Sequence, residues 1–450
     1  MKKLVFLSIA LVMVIALALP ASPISAQEKT KIDVWIAFQD YRWDWAKAVA
    51  AEFNEMFPQY EVVVTGGYSY ETMFAQVAVA AEQGQLPAVV QYFEAATQDA
   101  RDSGLFKPIA DALGDRTEIN GLTVDMEDYV APVIAYYTLD GKFTSMPWNT
   151  SSAITFTNMN YLRAAGWDKP PATWQEIDAA CEAVMALDKA PEYCWTFPNH
   201  GWFFEQWMAV QNALYVNNGN GREERATEVA FNSDAGVALL EWLDDQYNKG
   251  YLYYSGAQGG DSWSTVDQAY STQQIAIAVY SSSDTTLYTE MGEEGGFESV
   301  ASFYPYNGEV GWTGNLIGGA TLWLVDGLDP AVEEGALTFL VYFTNTENAA
   351  DWHKVTGYIP IRMSAYQMLT EEGYYEANPN QTVALEQLAQ STITPATSGA
   401  LVGGFPSIRN VVTAAIDRVL LTDADPAEVL AQAAAESNVI IEEYNLLNAP

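Results

Sequence analysis

Near the start of the chain, Ile32, Val34 and Ile36 alternate with polar residues, so they share one face of an extended segment and predict a strand. The period then lengthens. Trp45, Val49, Phe53 and Phe57 recur every four residues, which predicts a helix that Pro58 stops. A strand follows over Glu61–Thr65, then a helix from about Tyr70 to Gln83 closed by Gly84, then a strand over Ala88–Phe93 opened by Pro87. Strands this continuously apolar, alternating with helices, predict a parallel sheet of the α/β class.

The middle of the chain is richer in helical spacing. Thr173 caps a helix carrying Trp174 and Ile177. Ser233 and Asp234 open another, with Val237, Leu240 and Trp242–Leu243 inward and Gly250 at its end. Gln274–Tyr280 and Leu322–Val325 read as strands, Ala331–Phe343 and Glu347–Thr356 as helices. A last helix begins at Asp425–Pro426, where proline suits the first turn. There is no internal repeat and no low-complexity linker, so two lobes woven from alternating chain segments are expected, not two domains on a tether.

The first residues change the picture. Lys2 and Lys3 precede an apolar run, Leu4–Leu19, followed by Pro20, Pro23 and the small-residue site Ile24-Ser25-Ala26. That order predicts a signal peptide spanning residues 1–26 and an exported protein. The run of 16 residues is shorter than the roughly 20 of a spanning helix, and no cysteine near the cut offers a lipid anchor. Export makes the cysteines informative. Cys181 and Cys194, 13 apart, favour a local disulfide over two free thiols.

A formal charge of −38 repels nucleic acid and anionic membranes, so neither is an expected partner. Two histidines in 450 residues leave little material for histidine-based catalysis or a zinc site. No metalloprotease helix, phosphate loop or nucleophile elbow is present, and no cofactor or metal is expected. A two-carboxylate glycosidase remains compatible with the composition. Four polar or glycine-rich segments beside predicted strands read as loops that could hold a ligand beyond the strand ends: Pro147–Ser151, Tyr280–Ser283, Asn315–Gly319 and Gly403–Arg409. Arg409 stands out because the whole chain has only 20 basic residues.

These segments carry a resemblance. Ile317-Gly318-Gly319-Ala320-Thr321-Leu322-Trp323, Thr356-Gly357-Tyr358-Ile359-Pro360-Ile361, Glu347–His353 and Phe405-Pro406-Ser407-Ile408-Arg409 are similar to stretches of the family 1 extracellular solute-binding proteins of ABC transporters. The likeness extends over nearly the whole chain beyond residue 26, and is greatest to the Ugp-type branch, which binds glycerol-3-phosphate and glycerophosphodiesters. It implies a two-lobe α/β fold of the periplasmic-binding-protein type (type II), with a hinge and a ligand cleft between lobes. The lobes implied are residues 27–148 with 318–346, and 149–317 with 347–450.

Residue by residue, the resemblance implies that Tyr70 contacts ligand and that Glu94 accepts from glycerol hydroxyls. It implies that Ser151, Ser281, the Gly319 backbone, Tyr358 and Arg409 surround a phosphate, and that Trp202 walls the glycerol side. The family's second ring falls near Asn199, so that wall is expected to be open. The implied function is capture of glycerol-3-phosphate or a glycerophosphodiester such as glycerophosphocholine, by a monomer outside the cytoplasm, for delivery to a membrane permease. An oligosaccharide-binding protein of the same kind is the alternative. An exported glycosidase or phosphodiesterase, or a structural surface protein, stands further off.

Overall fold

The computed structural model describes residues 28–422 and 424–448. The signal peptide read over residues 1–26 lies outside them. The first strand, β1 (Thr30–Trp35), leads into α1 (Tyr41–Met56), β2 (Tyr60–Thr65), α2 (Tyr70–Gln83) and β3 (Val89–Phe93). Each helix is closed as its sequence requires. Asp40 accepts from the Arg42 N–H at the start of α1, Ser69 from the Thr72 N–H at the start of α2, and Gly84 ends α2 in the left-handed region. Ala46, Val49, Ala50 and Phe53 form the buried stripe of α1. As expected, β2, β1 and β3 are parallel.

The next long strand, β4 (Met146–Asn158), is buried throughout its 13 residues. Beyond it come α3 (Trp174–Met185), the short β5 (Trp195–Thr196), α4 (Gly201–Val210), α5 (Asp234–Asn248), β6 (Ile277–Ser281) and β7 (Ser299–Phe303). The chain then returns through β8 (Ile317–Val325), α6 (Pro330–Phe343) and α7 (Thr346–Thr356), and ends in α8 (Phe405–Thr422) and α9 (Pro426–Asn448).

β4 belongs to both halves of the molecule. Its residues 146–152 pair antiparallel with β8, which in turn pairs antiparallel with β3. Its residues 153–158 pair antiparallel with β6 and β7. The sheet is therefore mixed: beyond β3 the long strands pair antiparallel, while the short β5 pairs parallel with β6. Pro147–Ser151 and Ile317–Gly319, expected in loops, are instead strand residues facing each other across the two halves. Their polarity misled because it is satisfied inside the sheet. Asn149 accepts from Gln91 Nε2 at 2.8 Å and donates to the Tyr70 hydroxyl at 2.7 Å, and Ser152 donates to the Leu316 carbonyl at 3.0 Å.

Packing moves one expected boundary. Ala349, Ala350 and Trp352 of α7, with Tyr358, Ile361 and Leu369, share a core with β1, α1 and α6. Trp352 lies 4.9 Å from Trp148 and 4.8 Å from Trp45, ring centre to ring centre. The segment from 347 to 369, expected in the second half, thus shares its core with the first, while it also meets the second half where the Thr286 hydroxyl donates to the Lys354 carbonyl at 3.1 Å. An apolar stripe does not record which core it faces. In the second half, Cys181 of α3 and Cys194 are bonded, with Cα atoms 5.4 Å apart, which ties α3 to the strand edge at β5. Among the described residues no helix is long and apolar enough to cross a membrane.

Candidate ligand cleft

A cavity of about 640 Å³ opens where the carboxyl ends of β3 and β6 meet the crossing strands β4 and β8. Tyr70, Glu94, Ser151, Trp202, Ser281, Gly319, Tyr358 and Arg409 all line it. They come from both halves of the molecule and span over three hundred positions of sequence, so only folding brings them together.

The floor is set by two glycines. A Cβ on Gly319 would stand 1.9 Å from the Asn149 carbonyl oxygen, and its φ of +97° suits no other residue well. A Cβ on Gly318 would stand 2.4 Å from the Trp202 ring. Their lack of side chains lets β4 and β8 close on each other and lets Trp202 lie flat on the strand. Ser151 pairs with Gly318 across these strands.

The first half contributes Tyr70, whose ring stacks on Phe93 at 5.5 Å. A relay of hydrogen bonds, Ala37 N–H to Gln91 to Asn149 to the Tyr70 hydroxyl, fixes its position. In the second half, Ser281 caps the turn after β6, accepting from the Ser283 N–H at 3.2 Å. Ser281 Oγ also lies 2.9 Å from Ser283 Oγ, which donates to Asp284 at 2.6 Å. His200 accepts the Trp202 N–H at the start of α4. Burial and the nearby Arg409 push His200 down to about 3, so it is a neutral cap.

The electrostatics differ most from expectation. Arg409 does not offer a free fork. Its Nε donates to Glu205 Oε1, while Nη2 donates to Glu205 Oε2 at 3.0 Å and to Glu94 Oε1 at 2.6 Å. All three side chains are 5% exposed. Burial pushes Glu205 up to about 7 despite the guanidinium beside it. Glu94, expected to accept from ligand hydroxyls, already shares the arginine.

A second arginine, Arg42, also lines the cavity. It is held by Asp40 at 2.5 Å, lies 3.8 Å from Asp284 of the opposite half, and covers the Phe38 ring at 4.7 Å. Two arginines thus face five lining carboxylates, Asp40, Glu71, Glu94, Asp267 and Asp284. Burial and Asp284 push Asp267 up to about 6.

The expected open wall is filled. Asn199 is buried away from the cavity, donating to Tyr254 and to the Thr413 carbonyl. Trp263, from a distant segment, supplies a ring 6.4 Å from Trp202 and edge-on to Tyr280 at 5.0 Å. Sequence reasoning missed Arg42, Glu205, Trp263, Asp267 and Asp284. Two of these had a signal. Arg42 was as scarce a cation as Arg409, and Glu205–Gln206 is the polar pair inside the otherwise apolar run from Trp202 to Val210. The acids had none, being two among 58. Chemically the site offers carboxylate acceptors, hydroxyl donors, stacked rings and two partly neutralised guanidinium groups. No cluster able to hold a metal occurs among the described residues.

A two-lobe α/β fold with a cleft at the crossing strands is an architecture suited to holding a small solute between two halves. The sequence profile of the bacterial extracellular solute-binding proteins matches residues 48–383, and the chain belongs to that family. Its relatives include the sn-glycerol-3-phosphate-binding periplasmic protein UgpB of Yersinia pestis bv. Antiqua, 28% identical over 96% of this chain and 97% of the relative. Among solved structures, UgpB of Mycobacterium tuberculosis in complex with glycerophosphocholine superposes with a TM-score of 0.77 at 21% identity, covering 92% of this chain and 99% of that one. The GacH receptor of Streptomyces glaucescens, solved unliganded and with acarbose, superposes at 0.76 with 16% identity and the coverage is the same.

Proposed function

We propose that this protein is the exported solute-binding component of an ABC importer and that its ligand is a zwitterionic glycerophosphodiester of the glycerophosphocholine kind. The observation that carries the reading is the charge pattern of the cleft. Arginines at two places provide for one phosphate charge, and an excess of carboxylates beside Trp202, Trp263 and Tyr280 suits a cationic headgroup. Ser151, Ser281, Tyr358 and the Gly319 backbone supply neutral donors around the phosphate, with Arg409 as its cation. Tyr70 and Trp202 hold the glycerol carbons, and Glu94 accepts from the hydroxyls. Glycerol-3-phosphate, a dianion at neutral pH, suits the same cavity less well. The curated relatives support the phosphate, and the solved glycerophosphocholine complex supports the diester.

On this reading the protein performs no chemistry. It acts as a monomer outside the cytoplasm, closes about β4 and β8, and presents the closed form to the permease. A ligand at 100 times its Kd stabilises the folded state by about 2.7 kcal/mol, so a thermal-shift and calorimetry panel tests it. Glycerophosphocholine should give the largest shift, glycerol-3-phosphate less, a maltose-type sugar none. A second reading, an oligosaccharide binder, is favoured by the same stacked rings and carboxylates, which suit sugar faces and hydroxyls. A shift with the sugar alone would establish it and defeat the phosphate assignment.

A further inference from the structure

Arg409 has five N–H donors, and the protein uses three of them. Nε and one Nη2 hydrogen go to Glu205, the other Nη2 hydrogen goes to Glu94, and Nη1 bonds no protein atom among the described residues. Glu205 reaches this position through a built contact. Gly201, four residues earlier on α4, touches the Arg409 stem so closely that a Cβ there would stand 2.7 Å from Arg409 Cβ. One turn later Glu205 meets the guanidinium from behind, outside the cavity wall, where no ligand would touch it.

We propose that Glu205 is a positioning residue that sets the charge the cleft accepts, leaving only Nη1 of Arg409 for a ligand and so selecting a singly charged phosphodiester over a doubly charged phosphate monoester. This deepens the phosphodiester reading and rests on it. With both carboxylates ionised, the trio of Glu94, Arg409 and Glu205 carries one net negative charge. An ionised Glu205 repels each ligand charge, so its effect on a dianion exceeds that on a monoanion. A bidentate grip through Nη1 and Nη2 is also blocked unless Glu94 yields.

The other titratable groups around the trio do not supply the missing positive charge. His200 is neutral, and Tyr136 and Tyr215 are kept in their phenol forms by burial. The position of Glu205 near 7 makes the selection depend on pH. A phosphodiester keeps one charge across the neutral range, whereas a monoester loses its second proton near 6.

The test is titration calorimetry of glycerophosphocholine and glycerol-3-phosphate against the wild type and Glu205→Gln between pH 5.5 and 8.5. The glutamine keeps the shape and an acceptor for Nε while removing the charge. In the wild type, diester affinity should fall about threefold or more from pH 6 to 8.5, never faster than tenfold per pH unit. Glu205→Gln should remove the fall above pH 7, leaving only the change that Asp267 makes near 6, and, at pH 8.5, raise monoester affinity about tenfold more than diester affinity. Equal ratios in both proteins with parallel diester profiles would overturn the proposal. The wild-type profile needs no variant, so a flat one overturns it even if Glu205→Gln fails to fold. If neither phosphate ligand binds the wild type at any pH while a maltose-type sugar does, the phosphodiester reading itself fails, and the proposal with it.

Discussion

Replacing Arg409 by alanine strips the shared cation from two carboxylates that are each 5% exposed. The substitution therefore perturbs more than ligand affinity. Removing one partner of a buried charge pair destabilises by about 3–5 kcal/mol, because the remaining charge stays desolvated. Here two acids remain, and the folded protein must protonate at least one. Glu205, already raised to about 7 with the arginine present, rises further without it.

An acid whose folded pKa lies above its unfolded one contributes fully below the unfolded value and loses that contribution as pH rises through the folded value. Keeping one carboxyl protonated against an ordinary pKa of about 4.3 costs about 5 kcal/mol at pH 8 and about 1.6 kcal/mol at pH 5.5. The wild type already bears about 3.6 kcal/mol of that cost at pH 8 and nearly all of it at pH 5.5, because its own Glu205 is raised to about 7, so the deficit of Arg409→Ala should be larger at pH 8 than at pH 5.5 by about 1.4 kcal/mol. Urea unfolding followed by the fluorescence of the 14 tryptophans measures both. A deficit below about 1 kcal/mol at pH 8, or one equal at the two pH values, would refute the account of a buried, mutually dependent trio. The triple variant Arg409→Met, Glu94→Gln, Glu205→Gln removes all three charges and should recover most of the loss.

The wild type itself should melt higher at pH 5.5 than at pH 8. Asp99 and Glu205, both raised to about 7 by burial, and Asp267, raised to about 6, each withdraw stability as pH climbs; calorimetry showing the reverse order would contradict this. Opening the Cys181–Cys194 bridge by a double alanine substitution should cost about 3 kcal/mol for a loop of this length, read from denaturation midpoints. Gly319→Ala should destabilise by about 2 kcal/mol or more and weaken ligand binding together, since its Cβ would stand 1.9 Å from the Asn149 oxygen and force β4 from β8. Retained stability with retained binding would show that the crossing strands adjust freely.

Local properties of the chain were legible without coordinates. The order of β1, α1, β2, α2 and β3 follows from apolar period, capping residues and breakers, all of which act within a few positions. Tyr70, Glu94, Ser151 and Arg409, which the family likeness implies as ligand contacts, lie around one cavity, because such motifs preserve positions that folding gathers. What depended on distant partners was not legible. Pro147–Ser151 reads as a loop because its polar groups need partners, and only the sheet supplies Gln91 and Tyr70. Trp352 reads as one face of a helix, and only packing against Trp45 and Trp148 assigns it to the first half. Above all, Arg409 reads as a free phosphate fork. Tertiary structure places Glu94 and Glu205 on it, from positions 315 and 204 residues away, because a buried cation in so acidic a chain must be neutralised by whichever carboxylates folding brings within reach.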